Sequence, residues 1–267
     1  MVTKNDIFTM LSSCGVKPTD AVTIHTSLRA IGPIEGGADG LIDAFCEYLS
    51  EGHFLVPTHT WGVVNAQSPV YNVKETVPNI GTLARVAAFR RDAVRSLHPT
   101  HSLAVFGKGA EELVVGEEKS ATPCPPGGLL DRLYEMEGKV LLIGVGHERN
   151  TYLHAVDERY GIKNRLNPES YDVTVIDREG KRHKIRGYRG HKTVGLPICC
   201  AAYYPNYEPA FDAYGAVAYG TLGGATVRCC DAKKMTDIVR ELWRVSDHDL
   251  CFGKEVIPPA YYENLTL

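Results

Sequence analysis

The stretch Asn150-Thr151-Tyr152-Leu153-His154-Ala155-Val156-Asp157-Glu158 holds the side chains best spaced for chemistry. On a helix, residues three and four apart share a face, so Thr151, His154 and Asp157 or Glu158 fall in one line. A histidine backed by a carboxylate is a general base: the acid fixes the tautomer and stabilises the imidazolium that forms. The same spacing also describes a helix-surface ion pair worth roughly 0.2–0.5 kcal/mol, so the location of the segment matters. It follows Lys139-Val140-Leu141-Leu142-Ile143-Gly144-Val145-Gly146, an apolar run closed by glycines that reads as a buried strand. With Asn150 as an N-cap, the helix starts at the carboxyl edge of that strand, where open α/β sheets bind ligands.

Other candidates gather at predicted strand ends. His25, His59, His98, His101 and His154 all sit there, which points to a shared cleft. Histidine is also the commonest metal ligand. Against a metal stand the lack of His-x-His or His-Glu-x-x-His and the lack of acids beside His25, His59 and His98. Thr26, Ser27, Ser96, Thr100 and Ser102 occupy the same loops and suit a phosphate- or amide-bearing ligand, or simply cap those loops. No Gly-x-Gly-x-x-Gly after a strand, no Walker A sequence and no Gly-x-Ser-x-Gly elbow occurs. Asp157, Glu158, Glu208 and Asp212 would suit an amine with several positive charges, or form a solvated face. Of eight cysteines, Cys14, Cys46, Cys124 and Cys251 are isolated and Cys199-Cys200 and Cys229-Cys230 are adjacent pairs. Adjacent cysteines strain a mutual disulfide, and no Cys-x-x-Cys marks a zinc site. They read as small buried hydrophobes in a reducing compartment.

The elements that must position these residues follow from periodicity. Thr3 and Asp6 make a capping box for a helix over about 4–13. Ala21-Val22-Thr23-Ile24-His25 reads as a strand leading into a polar loop, and Gly36-Gly37 precede an amphipathic helix over 38–50. Phe54-Leu55-Val56 makes the next strand, and strand–helix–strand order implies a parallel unit. Residues 62–79 read as a long loop, the usual form of a lid or substrate wall. A helix opens at Thr82, Leu103–Phe106 is a strand, and short helices follow near 110–115 and 129–136. Beyond Gly161, Tyr171–Ile176 alternates as a half-buried strand and returns through Lys184–Arg186 as a hairpin; 231–244 is helical. This gives an α/β fold: three layers, α/β/α, around a mixed, largely parallel sheet, with a smaller antiparallel C-terminal part. The 267 residues form one domain, a core over about 1–160 and a closing portion over about 161–267. With 44% hydrophobic residues and net charge −3, there is ample core and no electrostatic case for nucleic acid or a membrane surface. No apolar run would span a bilayer and no secretory leader is evident, so a cytoplasmic location is expected.

In order along the chain, His25-Thr26-Ser27-Leu28-Arg29 with Gly32, Gly36-Gly37, Pro57-Thr58-His59-Thr60, Gly81-Thr82-Leu83-Ala84 with Phe89-Arg90, Arg95-Ser96 with His98-Pro99 and Ser102, Gly144-Val145-Gly146, and Asn150-Thr151 with Leu153-His154 together resemble the antibiotic N-acetyltransferases, whose best-known members are the aminoglycoside 3-N-acetyltransferases. The resemblance covers residues 20–160 almost continuously, and the later half in layout only. It implies direct transfer of acetyl from acetyl-CoA to a primary amine in a ternary complex, with no metal. His154 would then be the general base. The family usually has Glu three residues further on; here that position is Asp157, one methylene shorter, so either the helix moves closer or Glu158 takes over. Thr151 would hydrogen-bond the thioester oxygen. Ser27, Leu28, Arg29, Ser96, His98 and Ser102 would line the pantetheine and phosphate channel, and Trp61, Asp157, Glu158 and Asp212 would face the acceptor. The loop at 118–128 departs from the family in reading Pro-Cys-Pro-Pro-Gly-Gly, which bears on the acceptor. The expected partners are CoA and a small amine, the expected assembly a monomer or homodimer. Two rival readings stand beside this one: a metal-dependent hydrolase built on His25, His59, His98 and His101, and a non-catalytic relative that sequesters an amine.

Overall fold

A computed structural model describes residues 1–192, 199–245 and 257–267; Cys251 lies outside them. Its strands are β1 (Ala21–Thr26), β2 (His53–Pro57), β3 (Val70–Asn72), β4 (Val94–Arg95), β5 (Leu103–Phe106), β6 (Lys139–Ile143), β7 (Tyr171–Ile176), β8 (Arg182–Tyr188), β9 (Val217–Leu222) and β10 (Ala225–Asp231). The α-helices are α1 (Lys4–Ser13), α2 (Leu28–Ile31), α3 (Gly37–Tyr48), α4 (Thr82–Ala88), α5 (Ala110–Leu113), α6 (Leu129–Arg132), α7 (Tyr152–Arg159), α8 (Glu208–Ala213) and α9 (Ala232–Val245). Among the described residues, no helix is long and apolar enough to cross a membrane.

The central strands are buried on both faces, and their side chains divide by parity. In β6, Val140 and Leu142 join the core beneath α6, α7 and α9, while Leu141 and Ile143 join the core beneath α1 and α3. Phe54 and Val56 of β2 likewise face one layer and Leu55 the other. A period of two along strands covered on both sides gives three layers. The main sheet runs β4-β5-β2-β1-β6-β10-β9. It is mixed, and the parallel pairing is confined to β2-β1-β6, with antiparallel pairs at both flanks. A second sheet, β3-β7-β8, stands apart with its own small core of Tyr71, Val73, Val173, Val175, Ile185 and Tyr188.

Several elements match the periodicity, including α1 with its Thr3–Asp6 capping box, β5, and the hairpin β7–β8. Others differ. The polar loop after β1 contains α2, capped by the Ser27 side chain on the Ala30 amide. The long loop at 62–79 contains β3, which pairs in parallel with β7. The later part of the chain does not all leave the core: β9, β10 and α9 return to the main sheet and its helical layer.

Because β2, β1 and β6 are parallel, they share one carboxyl edge. His25 and Thr26 end β1, His59 follows β2, and residues 144–150 leave β6 for α7. Gly144 makes the first turn there with φ +67; a Cβ on it would meet the Ala30 Cβ at 2.5 Å, so only glycine lets β6 pass this close to α2.

Candidate active site

At this edge lies a cavity of about 1010 Å³. Its walls include His25, His59, His101, Thr151, His154 and His191. This volume is at the upper end for a small-molecule site, room for two reactants. His25 Nε2, Thr26 Oγ1 and His59 Nε2 are buried with no hydrogen-bond partner among the described residues. Buried polar atoms rarely stay unpaired, so all three offer contacts to a polar ligand.

His154 enters the cavity from the first turn of α7. Thr151, not Asn150, occupies the N-cap position, while Asn150 Nδ2 turns to His147 Nδ1 at 3.1 Å. The helix is held from behind by Tyr152, whose hydroxyl is 2.6 Å from Thr236 Oγ1 and 3.1 Å from the Ala232 carbonyl oxygen. His154 Nδ1 lies 2.8 Å from the Tyr204 hydroxyl, which donates to Asp157 Oδ2 at 2.7 Å. Arg165 Nε donates to the same oxygen at 2.7 Å, forming an ion pair that is 2% exposed on both sides. Glu158 takes a different partner: Oε1 is 3.1 Å from His191 Nε2 and accepts from the Cys124 amide at 2.8 Å. The His191 ring stacks on His154, with centroids 4.0 Å apart and planes at 29°. Beyond it the rings continue to His101, at 5.2 Å from His191, and to His59, at 4.6 Å from His101.

Burial keeps these imidazoles neutral. It lowers His154 below its ordinary value, a shift opposed by Cys199, Asp157 and Glu158. It pushes His25 down to about 4, where His154 adds to the effect. His59, His101 and His191 go well below 6.5, first from burial and then from neighbouring histidines, with Arg165 adding to the effect on His191. Burial also raises the Glu158 carboxyl. Neutral imidazoles accept protons, which suits an acid–base site.

Of the remaining residues singled out in the sequence, Trp61 lines the cavity mouth and is 55% exposed. Ser27 caps α2, with Leu28 half-buried and Arg29 exposed beside it. Ser96, His98 and Ser102 are buried and bonded inside the protein. Ser96 Oγ accepts from the Leu103 amide, Ser102 Oγ donates to the Thr58 carbonyl, and His98 Nε2 meets the Thr122 carbonyl. Asp212 lies on α8 and accepts from the Tyr219 hydroxyl at 2.8 Å. Glu148 is a carboxylate in the cavity wall, followed by Arg149. Sequence reasoning did not find Tyr204, Arg165 or His191; their spacing from α7 carries no periodic signal.

Two sets of donor atoms lie within 4.8 Å of one another among the described residues: His154 with Cys199 and Cys200, and Cys124 with Glu158 and His191. Each already has internal partners, Tyr204 on His154 and the Cys124 amide on Glu158. Burial raises the Cys124 thiol, and Cys200 beside it raises Cys199. The quartet required by the hydrolase reading does not converge: His98 Nδ1 accepts from the Thr100 and His101 amides while Nε2 meets Thr122.

A partnered, buried imidazole in the wall of a large cavity, at the carboxyl edge of parallel strands, is the centre of this candidate site on an α/β scaffold. The aminoglycoside 3-N-acetyltransferase profile matches residues 23–244, and the chain belongs to that family. Aminoglycoside N(3)-acetyltransferase IV of Salmonella sp is 30% identical over 154 residues, a span of 58% of each chain, so less than two thirds of that relative is matched. Among solved structures, AAC-VIa bound to sisomicin superposes with a TM-score of 0.73 at 25% identity, covering 92% of this chain and 98% of that one. The binary complex of AAC-IIIb with CoASH superposes at 0.70 with 21% identity, covering 88% and 94%; this last likeness concerns the fold.

Proposed function

We propose that this protein is an acetyl-CoA-dependent N-acetyltransferase of the cytoplasm that acylates a primary amine, the 3-amino group of an aminoglycoside, with His154 as general base. The observation that carries the reading is the His154 imidazole in the cavity wall, its Nδ1 engaged by Tyr204 so that Nε2 is left for substrate. Family membership supports the reaction class, and the sisomicin and CoASH held by the two solved relatives support the two reactants.

An alkylammonium has a pKa of about 10, so it must first lose one proton to bulk water before the neutral amine can attack. The amine nitrogen forms a bond to the thioester carbonyl carbon. His154 Nε2 takes the proton the nitrogen sheds. Thr151, at the N-cap of α7, hydrogen-bonds the oxygen on which negative charge develops. When the C–S bond breaks, the imidazolium returns the proton to the CoA sulfur, leaving amide and free thiol. Proton transfer of this kind contributes on the order of 10²–10⁴-fold, and alignment of the two reactants supplies more. Glu148 is the wall carboxylate nearest in sequence to α7 and would meet an ammonium group of the acceptor.

The test is thiol release from acetyl-CoA against a panel of amines that includes several aminoglycosides, with mass spectrometry of the product. Acetylated amine formed in step with free thiol is the expected result. Tight amine binding without thiol release would leave only the sequestering reading.

A further inference from the structure

The carboxylate expected behind His154 does not bond to it: among the described residues, no hydrogen bond or ion pair joins His154 and Asp157. The gap is filled by a phenol from a distant segment, Tyr204, on the 3-10 stretch Cys200–Tyr207. Its hydroxyl is 2.8 Å from His154 Nδ1 and 2.7 Å from Asp157 Oδ2, and the Tyr204 side chain is fully buried.

Proton accounting fixes the direction of this chain. Asp157, paired with the Arg165 guanidinium, is an acceptor. Burial and the adjacent carboxylate push the Tyr204 phenol well above its ordinary value, so it keeps its one proton. That proton goes to Asp157. The phenol oxygen can then only accept from the ring, so Nδ1 carries the hydrogen. A neutral imidazole has a single N–H, and Nε2 is left with its lone pair.

We propose that Tyr204 is a positioning residue for acetyl transfer: it relays Asp157 to His154 Nδ1 and so sets the tautomer whose Nε2 is basic toward the cavity. The phenol spans the distance that an aspartate is too short to cover, and it disperses imidazolium charge to the Asp157–Arg165 pair without giving up its proton. This rests on His154 being the base. Other groups facing His154 are His25 from β1, His59 from the loop after β2, His191 stacked on it, Glu158 on its own helix, and the thiols of Cys199 and Cys200. Cys200 Sγ is 3.7 Å from Nδ1 and 3.5 Å from the phenol oxygen, a longer and weaker alternative partner.

The experiment is ¹⁵N NMR of histidine-labelled full-length protein, the His154 signals assigned by their loss in His154→Gln, alongside steady-state kinetics. In the wild type at neutral pH the proton should sit on Nδ1. Tyr204→Phe should remove that preference, lower kcat by at least about tenfold with the KM for acetyl-CoA unchanged, and move the acid limb of the rate profile to lower pH as the imidazolium loses its partner. Asp157→Asn keeps its amide oxygen toward Arg165 Nε and the phenol, so the proton should stay on Nδ1 while the lost charge moves the acid limb to lower pH. Cys200→Ser should leave the tautomer as it is. A wild-type His154 protonated on Nε2, or a Tyr204→Phe protein with an unchanged tautomer and rate, overturns the relay; the wild-type spectrum decides it even if Tyr204→Phe fails to fold. A wild type inactive on every amine but with the proton on Nδ1 would sink the transferase reading and leave the relay geometry standing.

Discussion

His154→Ala removes the group that accepts the amine proton and leaves the cavity walls in place. Turnover should fall by about 10²–10⁴-fold while acetyl-CoA still binds, measured by thiol release and by calorimetric titration of CoA. Near wild-type transfer in this variant would assign the base elsewhere. Burial is the leading cause of the lowered His154 value, so the base is neutral above that value and kcat/KM should hold from neutrality to below pH 6.5 before its acid limb begins. The helical spacing of Thr151, His154 and Asp157 was readable because three positions on one face need only local periodicity. What the carboxylates do was not. Asp157 turns to Tyr204 and Arg165, and Glu158 to His191 and the Cys124 amide. Tyr204 lies 50 residues from His154 and His191 33 from Glu158, so only the fold brings them together.

The element that carries His154 is fastened by the segment following it. Arg165 leaves the end of α7 and folds its guanidinium back onto Asp157, with both side chains 2% exposed. Removing one member of a buried pair strands the other charge, which costs about 3–5 kcal/mol. Arg165→Met should therefore lower the urea midpoint by that amount of stability; a loss under about 1 kcal/mol would mean that solvent or another cation takes over. The carboxyl edge of β1, β2 and β6 was legible, because apolar runs closed by glycine or proline and separated by a helix imply parallel strands. The antiparallel flank formed by β9 and β10 was not. Along β9 only Leu222 is buried, so alternation is faint there. The signal lay in the turn: Leu222 pairs with Ala225 across Gly223-Gly224, and Gly223 has φ +57. Two glycines between short runs mark a tight hairpin, and here a Cβ at 223 would meet the Ile31 carbonyl oxygen at 2.2 Å.

Over the whole molecule, gathering polar rings at one buried edge links activity to acid stability. The histidine cluster could be foreseen from strand ends, whereas its burial could not, since the second sheet and the helical layer close around it only in the fold. His98 and His147 are fully enclosed, and burial pushes each down to about 4. His59, His101 and His191 are shifted the same way. In the unfolded chain these rings take protons near pH ~6.5, while in the fold they refuse them. Between these limits the unfolded state binds more protons, so stability rises with pH and is lost as pH falls from about 6.5 toward 4. Each such ring contributes up to about 1.4 kcal/mol per pH unit in that window. Glu117 opposes this: burial raises it to about 7, so the fold favours its protonated form and gains from acidification between 7 and the ordinary carboxylate range. Glu158 is raised as well, and two acids against seven lowered rings leave the histidines in control. Urea denaturation at pH 7.5, 6 and 5 should show the folding free energy falling by several kcal/mol, on the order of 2 kcal/mol for each of His98 and His147 by pH 5. His147→Asn should flatten the slope relative to its own stability at pH 7.5, because asparagine does not titrate. An unfolding free energy constant across this range would mean that the rings take protons in the fold as readily as outside it, and burial would not govern their titration.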